Sequence, residues 1–463
     1  MSRGSAFAYV LRRSLGETTH GEFIESVYAE ASQDLRLNER KVLHKQGMNV
    51  WHMALDAAEE RFLLVGTGMA SMHIYDMSAL DALAPGASAS DVAPIVSVRP
   101  LRGKLSAPQS QDRPGHTSGL TSVAWYPVDN GMFVSASLDT TVKVWDANEL
   151  EVATAFCLGD PVHIAAFSPM ASGSTSHLLA VGTDRPEVRL CDIGIGAASH
   201  RLVGHRASIR SLAWSNTNEF QLASGATDGS VRVWDIRRSG ATACLFCLNH
   251  DGPADVPGRE TSKAAKKRKI GHDPHVAASF SSALAHAKEV QSIAYTPDGR
   301  YLVTSGADRA MRLWNAASGA HMFHHYTGIK CAGARHVTVA MAQEGRAEST
   351  MLYHPVGSRG TIASYLLHDA EAVEPRTTYM GHYSRVTTCL YRATSRELVS
   401  GGEDGMIAMW SPGERSFFPP QASDTADNEQ DDASGVPNED AWSDEDDGPG
   451  DRFVPPILQR DGR

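Results

Sequence analysis

The side chains best equipped for chemistry in this chain recur at intervals instead of gathering at one place. An Asp precedes a Trp by six residues four times, as Asp139/Trp145, Asp228/Trp234, Asp308/Trp314 and Asp404/Trp410. A His lies upstream of each pair: His116, His205 and His382 follow a Gly, and His286 follows an Ala. An Asp–His pair could act as a general base or acid. Four such pairs strung along the chain read instead as one structural part used four times. Other reactive patterns fail on context. Gly66-Thr67-Gly68-Met69-Ala70-Ser71 resembles a dinucleotide loop but ends in a strand instead of opening a helix. Cys244 and Cys247 form a C-x-x-C pair with no second pair at zinc-site spacing. His321, His324 and His325 have no carboxylate beside them. No G-x-S-x-G, H-E-x-x-H or phosphate-binding loop occurs. The expectation is a protein without catalytic residues, metal or cofactor: a binding platform, not an enzyme.

The elements that carry these residues repeat. SASLDTTVKVWD ends at Asp146, SGATDGSVRVWD at Asp235, SGADRAMRLWN at Asn315 and SGGEDGMIAMW at Trp410. Weaker copies end at Asp76, Asp192 and Leu366. Alternation such as Thr141, Val142, Lys143, Val144 marks strands. Spacings near ~40–45 residues suit a four-stranded blade. Seven copies predict an all-β fold, a seven-bladed WD40 β-propeller, over residues 40–413, with insertions at 79–113 and 249–284 expected to be disordered loops. WD40 character implies that Asp, His, a strand Ser or Thr, and Trp form a buried hydrogen-bonded chain within each strong blade. It also implies that the last blade borrows its outer strand from the N-terminal side, and residues 40–46 are the candidate.

Composition bounds the rest. The chain has 463 residues, 42% hydrophobic, enough to bury a sizeable core. Its six cysteines are too sparse for a disulfide scaffold and read as reduced thiols. No run of 18 apolar residues predicts a membrane span, and the short Ala6–Leu11 stretch makes a poor signal peptide. The net charge of −11 is localised: residues 423–463 carry 13 acidic and 3 basic side chains, the rest 41 and 40. A nearly neutral body has no strong global attraction for nucleic acid.

Three segments lie outside the ring. Residues 1–39 are expected to form a helix–loop–helix extension, with Leu11, Leu15, Phe23, Ile24 and Val27 on its apolar faces. The insertion at 249–284 holds Lys263, Lys266, Lys267, Arg268 and Lys269, a candidate nuclear import signal. The tail 414–463 is acidic and expected to be disordered, with Trp442 as a candidate docking anchor.

Finer features carry a resemblance. Trp125-Tyr126-Pro127, Gly131-Met132-Phe133 and Lys143-Val144-Trp145-Asp146 resemble the Cockayne syndrome group A (CSA) family. So do Ala180-Val181-Gly182-Thr183, Leu190-Cys191-Asp192, Met311 to Asn315, Gly381-His382-Tyr383 and the tail run Glu439 to Ser443. The resemblance implies a substrate receptor of a cullin-4 RING ubiquitin ligase, acting in transcription-coupled nucleotide excision repair in the nucleus. It implies docking on the ligase adaptor, the large subunit of the damaged-DNA-binding protein, and through it cullin-4 and the RING subunit. It implies a group B-type ATPase and stalled RNA polymerase II as further partners. Such receptors carry Trp-Asp-x-Arg after a blade's third strand. Trp234-Asp235-Ile236-Arg237 fits in full, whereas Trp145-Asp146-Ala147-Asn148 lacks the Arg. Asp235, Arg237 and the N-terminal apolar residues are therefore the expected adaptor contacts. The alternative is a WD40 scaffold of another nuclear chromatin or RNA-processing complex.

Overall fold

In the computed structural model, alternating apolar strands pair in sequence order and build seven small antiparallel sheets, beside one short parallel pairing of His325–Tyr326 with Ala372–Val373. The described residues are 14–16, 19, 35–45, 48–83, 92–100, 115–170, 175–238, 240–255, 283–329, 336–343, 350–357, 359–368 and 372–413. Blade 1 comprises Val50–Leu55, Phe62–Thr67, Met72–Asp76 and Val96–Val98. Blade 2 runs through Leu120–Trp125, Met132–Ser137, Thr141–Asp146 and Val152–Cys157. Blade 3 uses Val162–Phe167, Leu178–Thr183, Glu187–Asp192 and Ala197–Val203. Blade 4 uses Ile209–Trp214, Gln221–Ala226, Val231–Asp235 and Cys244–Cys247. Blade 5 has Val290–Tyr295, Tyr301–Gly306 and Met311–Asn315, with a single bridge from Trp314 to His321 at its outer edge. Blade 6 has Ala340–Ala342, Met351–Val356, Thr361–Leu366 and Thr377–Met380. Blade 7 has Val386–Arg392, Glu397–Gly402 and Met406–Pro412. The fold is a seven-bladed β-propeller. No helix among the described residues is long and apolar enough to cross a membrane.

The ring closes as the repeat implies, but earlier in the chain than residues 40–46. Leu35–Leu37 pairs with the third strand of blade 7, Leu37 opposite Trp410, and Leu43–His44 resumes the ladder opposite Ile407 and Met406. A 3-10 turn at Glu39–Lys41, capped by the Asn38 side chain, joins the two pieces. The boundary of the N-terminal extension at residue 39 is thereby corrected: residues 35–37 are a strand. Three residues are too few to display a period of two, and their partner lies more than 370 positions away.

The insertion at 79–113 also needs correction. Asp76 accepts the Ser78 N–H at 2.9 Å and caps a short helix, Met77–Asp81, that buries Met77 and Leu80. Val96–Val98 then supplies the fourth strand of blade 1. At 249–284, Asp255 pairs back to Cys247 and extends the outer edge of blade 4. An outer strand with one face in solvent has a weak apolar signal, so both read as loop.

Two devices fix how the blades meet. The pairing of first and second strands shifts register at the same place in six blades, between Val50/His52, Leu120/Ser122, Val162/Ile164, Ile209/Ser211, Val290/Ser292 and Val386/Thr388. Such a bulge bends the innermost strand and re-aims its side chains. The turn between second and third strands presses on the next blade's entry loop. A Cβ on Gly229 would lie 2.1 Å from His286 O, and one on Gly405 2.1 Å from Met48 O. Both glycines have positive φ, 82° and 77°. Apolar side chains fill the space between neighbouring sheets; Ala223, Val231 and Val233 of blade 4 pack on Val290, Ile293 and Leu302 of blade 5.

Candidate protein-docking site

Blades 2, 4, 5 and 7 each assemble the hydrogen-bonded chain that their residue types imply. In blade 2 the Trp145 indole N–H donates to Ser135 Oγ at 2.8 Å, and that hydroxyl meets His116 Nε2 at 2.7 Å. His116 Nδ1 meets Asp139 Oδ2 at 2.9 Å. One proton arrangement satisfies every atom: indole to hydroxyl, hydroxyl to Nε2, Nδ1–H to carboxylate. Asp139 also accepts the Thr117 backbone N–H and the Thr141 hydroxyl. Burial alone would raise the Asp139 carboxyl, but these donors outweigh it and hold it far below the usual carboxylate range. Blade 5 repeats the chain through Trp314, Thr304, His286 and Asp308. Blade 7 repeats it through Trp410, Ser400, His382 and Asp404. Blade 4 runs from Trp234 through Ser224 to His205, then inserts Ser230 between His205 and Asp228. Burial, then the Arg232 charge, pushes His205 down to about 3.

The chains tie each entry loop to its own sheet and do not converge on a shared site. Their Asp and His residues are occupied within their blades.

Asp235 and Arg237 stand at the opposite end of the third strand of blade 4, about 16 Å from the Asp228 turn at ~3.3 Å per residue. Arg237 Nε donates to Asp235 Oδ1 at 3.0 Å and Nη2 to Oδ2 at 2.9 Å, a bidentate pair. The Arg237 backbone N–H also donates to Oδ1. Arg238 adds a longer contact to Oδ2 at 3.5 Å. The Arg237 guanidinium lies 4.6 Å above the Phe220 ring. Carboxylate and ring fix the plane of the fork, while the side chain stays 58% exposed. Arg237 thus both caps its blade and presents an oriented cation to solvent. The Arg237 hydrogen bond, against opposing burial, holds the Asp235 carboxyl low.

Leu15 is exposed. Leu11, Phe23, Ile24 and Val27 lie outside the described residues, as do Lys263, Lys266, Lys267, Arg268, Lys269 and Trp442. Cys244 and Cys247 are buried free thiols with sulfurs 3.8 Å apart on the outer strand of blade 4.

Several buried polar residues were not singled out by sequence. Lys143 donates to Gly115 O at 2.8 Å, and Arg189 of blade 3 donates to Leu158 O at 2.8 Å. Both stand two residues before the Trp register position, a signal present in the aligned repeats. His163 bridges blades 3 and 4: its Nε2 meets Asp184 Oδ1 at 2.6 Å and its Nδ1 accepts from Arg210 at 2.8 Å. His52 and His336 stack with ring centroids 5.9 Å apart. Burial lowers His52 to about 3, with the His336 charge adding to it, and burial lowers His336 and His354 to about 4. Nothing in the local sequence marks these three.

Comparison with known proteins agrees with this division of blades. The WD domain, G-beta repeat (WD40) family matches residues 108–146, 196–235, 277–315 and 373–411. Those matches end on the third strands of blades 2, 4, 5 and 7, the four with a complete chain. The protein is similar to WD repeat-containing protein ATCSA-1 of Arabidopsis thaliana, 28% identical over 448 residues, 87% of this chain and 94% of that one. It is also similar to ribosome biogenesis protein YTM1 of Saccharomyces cerevisiae, 35% identical over 140 residues, 29% of each chain. Periodic tryptophan protein 2 of Arabidopsis thaliana is 24% identical over 302 residues, 63% of this chain and 29% of that protein.

Proposed function

We propose that this WD40 repeat protein is the substrate-recognition subunit of a cullin-4 RING ubiquitin ligase acting in transcription-coupled nucleotide excision repair. The observation that carries the reading is the extent of the similarity to ATCSA-1, which spans 94% of that protein and so includes the divergent blades. The YTM1 similarity spans 29% of this chain, a length that repeats alone can produce. The preoriented Arg237 fork supports the reading, because a fixed planar cation at an exposed blade corner suits a partner's carboxylate or carbonyl. In this role the protein carries no catalytic step. It docks the adaptor, holds the stalled-polymerase repair factors, including a group B-type ATPase, and supplies proximity to a ubiquitin-loaded enzyme. The basic run Lys263–Lys269 fits nuclear import.

The test is capture of the tagged protein from nuclear extract, with mass spectrometry of what stays bound, beside Arg237→Glu and a deletion of residues 1–34 that spares the closing strand. The expected result is recovery of the cullin-4 adaptor by the wild type and a loss of roughly tenfold or more in the Arg237→Glu variant. Absence of the adaptor from the wild-type capture overturns the reading. Recovery of ribosome-assembly factors in its place supports the second reading, a scaffold of an RNA-processing complex, which the YTM1 similarity favours.

A further inference from the structure

Tyr383 is 89% exposed, the highest figure for any large apolar or aromatic side chain among the described residues. Its backbone is nevertheless fixed. The Tyr383 N–H donates to Asp404 Oδ2 at 2.8 Å, and Asp404 is held by His382 of the blade 7 chain. Met380, three residues earlier at the end of the outer strand of blade 6, is 74% exposed. Two apolar side chains thus stand in solvent on rigid supports at one end of the sheets.

A cation lies on either side of them. The Arg359–Gly360 turn of blade 6 is pressed against the Tyr383 loop: a Cβ on Gly360 would lie 2.3 Å from His382 O and 2.5 Å from Ser384 O. Arg359 is exposed and has no hydrogen bond or ion pair among the described residues. Arg385, next in the same loop, is half-buried, and its carbonyl accepts the Glu403 N–H at 2.8 Å. On the far side of the Asp404 turn, a Cβ on Gly405 would lie 2.8 Å from Lys45 O, which places exposed Lys45 beside the same loop. The acidic side chains in these turns are Asp404, consumed by His382 and three backbone N–H groups, and Glu403, half-buried.

We propose that this patch, Tyr383 and Met380 flanked by Arg359 and Lys45 across the tops of blades 6, 7 and 1, is a docking site for an acidic protein segment carrying an aromatic or large apolar anchor. Tyr, Met and Arg are the residue types enriched where interfaces concentrate their energy. The rigid backbone under Tyr383 means little ordering cost on binding. The exposed cations Arg359 and Lys45 select a partner with the opposite charge and raise its association rate. Two exposed cations on a body of 41 acidic and 40 basic residues do not make the long positive track that a nucleic-acid backbone requires. The site is separate from the Arg237 corner, which lies at the other end of the strands, and stands whether or not the chain binds a ligase adaptor.

The test is fluorescence anisotropy of the full-length protein with a labelled synthetic peptide of Asp and Glu residues around one Trp. The same peptide with Ala for Trp, and a single-stranded oligothymidine of equal charge, complete the set. Micromolar binding of the Trp peptide is expected, weakened roughly tenfold by Tyr383→Ser, by Arg359→Glu and by loss of the peptide's Trp. Thermal unfolding of both variants should match the wild type, since neither side chain is packed. No binding of the Trp peptide by the wild type overturns the proposal. So does unchanged binding by both variants, equal affinity for the Ala peptide, or tighter binding of the oligothymidine.

Discussion

Blades 2, 4, 5 and 7 and blades 1, 3 and 6 reach the same sheet by different interior chemistry. The register that pairs Phe133 with Trp145 in blade 2 pairs Leu63 with Tyr75 in blade 1, Leu179 with Cys191 in blade 3 and Leu352 with Tyr365 in blade 6. The second-strand hydroxyl changes in step. Ser135, Ser224, Thr304 and Ser400 accept an indole N–H in the first group. The same register holds Val65, Val181 and His354 in the second. The indole donor and the hydroxyl acceptor are thus lost together, and in blade 6 His354 turns its Nδ1 to the Pro355 carbonyl. Removing one buried hydrogen-bond partner leaves the other unpaired at a real cost, while replacing both with apolar groups is close to neutral. Blade formation needs strand pairing and a filled interior. The hydrogen-bonded chain adds a rivet between entry loop and sheet, and a divergent blade does without it.

The largest expected contrast is in acid. The network carboxylates, Asp139, Asp308 and Asp404, are held low in the folded state, so their stabilisation is present above about pH 4 and is lost as pH falls further. Half-buried His52 of blade 1 and His336 and fully buried His354 of blade 6 are held neutral, with folded values of about 3, 4 and 4, and His205 of blade 4 shares this behaviour at about 3. The unfolded chain binds their protons first, at about pH 6.5, so stability should fall between about pH 6.5 and 4, on the order of 1.4 kcal/mol per histidine per pH unit. Urea midpoints across that range should show the slope, and His354→Phe should flatten it. A midpoint that stays level down to pH 4.5 would sink the reading that these histidines are held neutral in the folded state.

Next comes the core position itself. Trp234→Ala should cost about 3–5 kcal/mol, through a cavity and the loss of the indole donor to Ser224. Cys191→Ala at the same register of blade 3 should cost about 1–2 kcal/mol, since little volume and no hydrogen bond is removed. Equal losses in denaturant unfolding would erase the distinction between the two kinds of blade. The smallest effect isolates the rivet. Ser224→Ala keeps the indole in place but strips Trp234 Nε1 and His205 Nε2 of their partner, and about 1–3 kcal/mol should be lost. Unchanged stability would mean that the chain contributes shape and not hydrogen bonding.

Much of this was legible in the residues. The Asp-to-Trp spacing and the alternation of Val142 and Val144 with polar neighbours mark a repeat because a blade is a local unit whose strands pair with their chain neighbours. The Arg237 motif is equally local, and its contact with Asp235 spans two residues. What escaped depends on distance along the chain. Leu35–Leu37 is a strand only because blade 7 offers an unpaired edge at Trp410. Val96–Val98 is one because blade 1 lacks a fourth strand. His52 and His336 are ordinary in sequence and become a stacked, half-buried pair only when the ring closes through blade 7. Tyr383 looked like part of a Gly-His-Tyr signature, and only the glycine-tight seam with Arg359 placed it within a charged patch. The sequence by itself determined the number of blades, the identity of the four rigid ones and the residues of their chains, because period and side-chain type are written within some 40 residues of chain at a time. The tertiary structure alone decided which edges are completed, which histidines lose water and which surface residues become neighbours, because those follow from the closure of the ring.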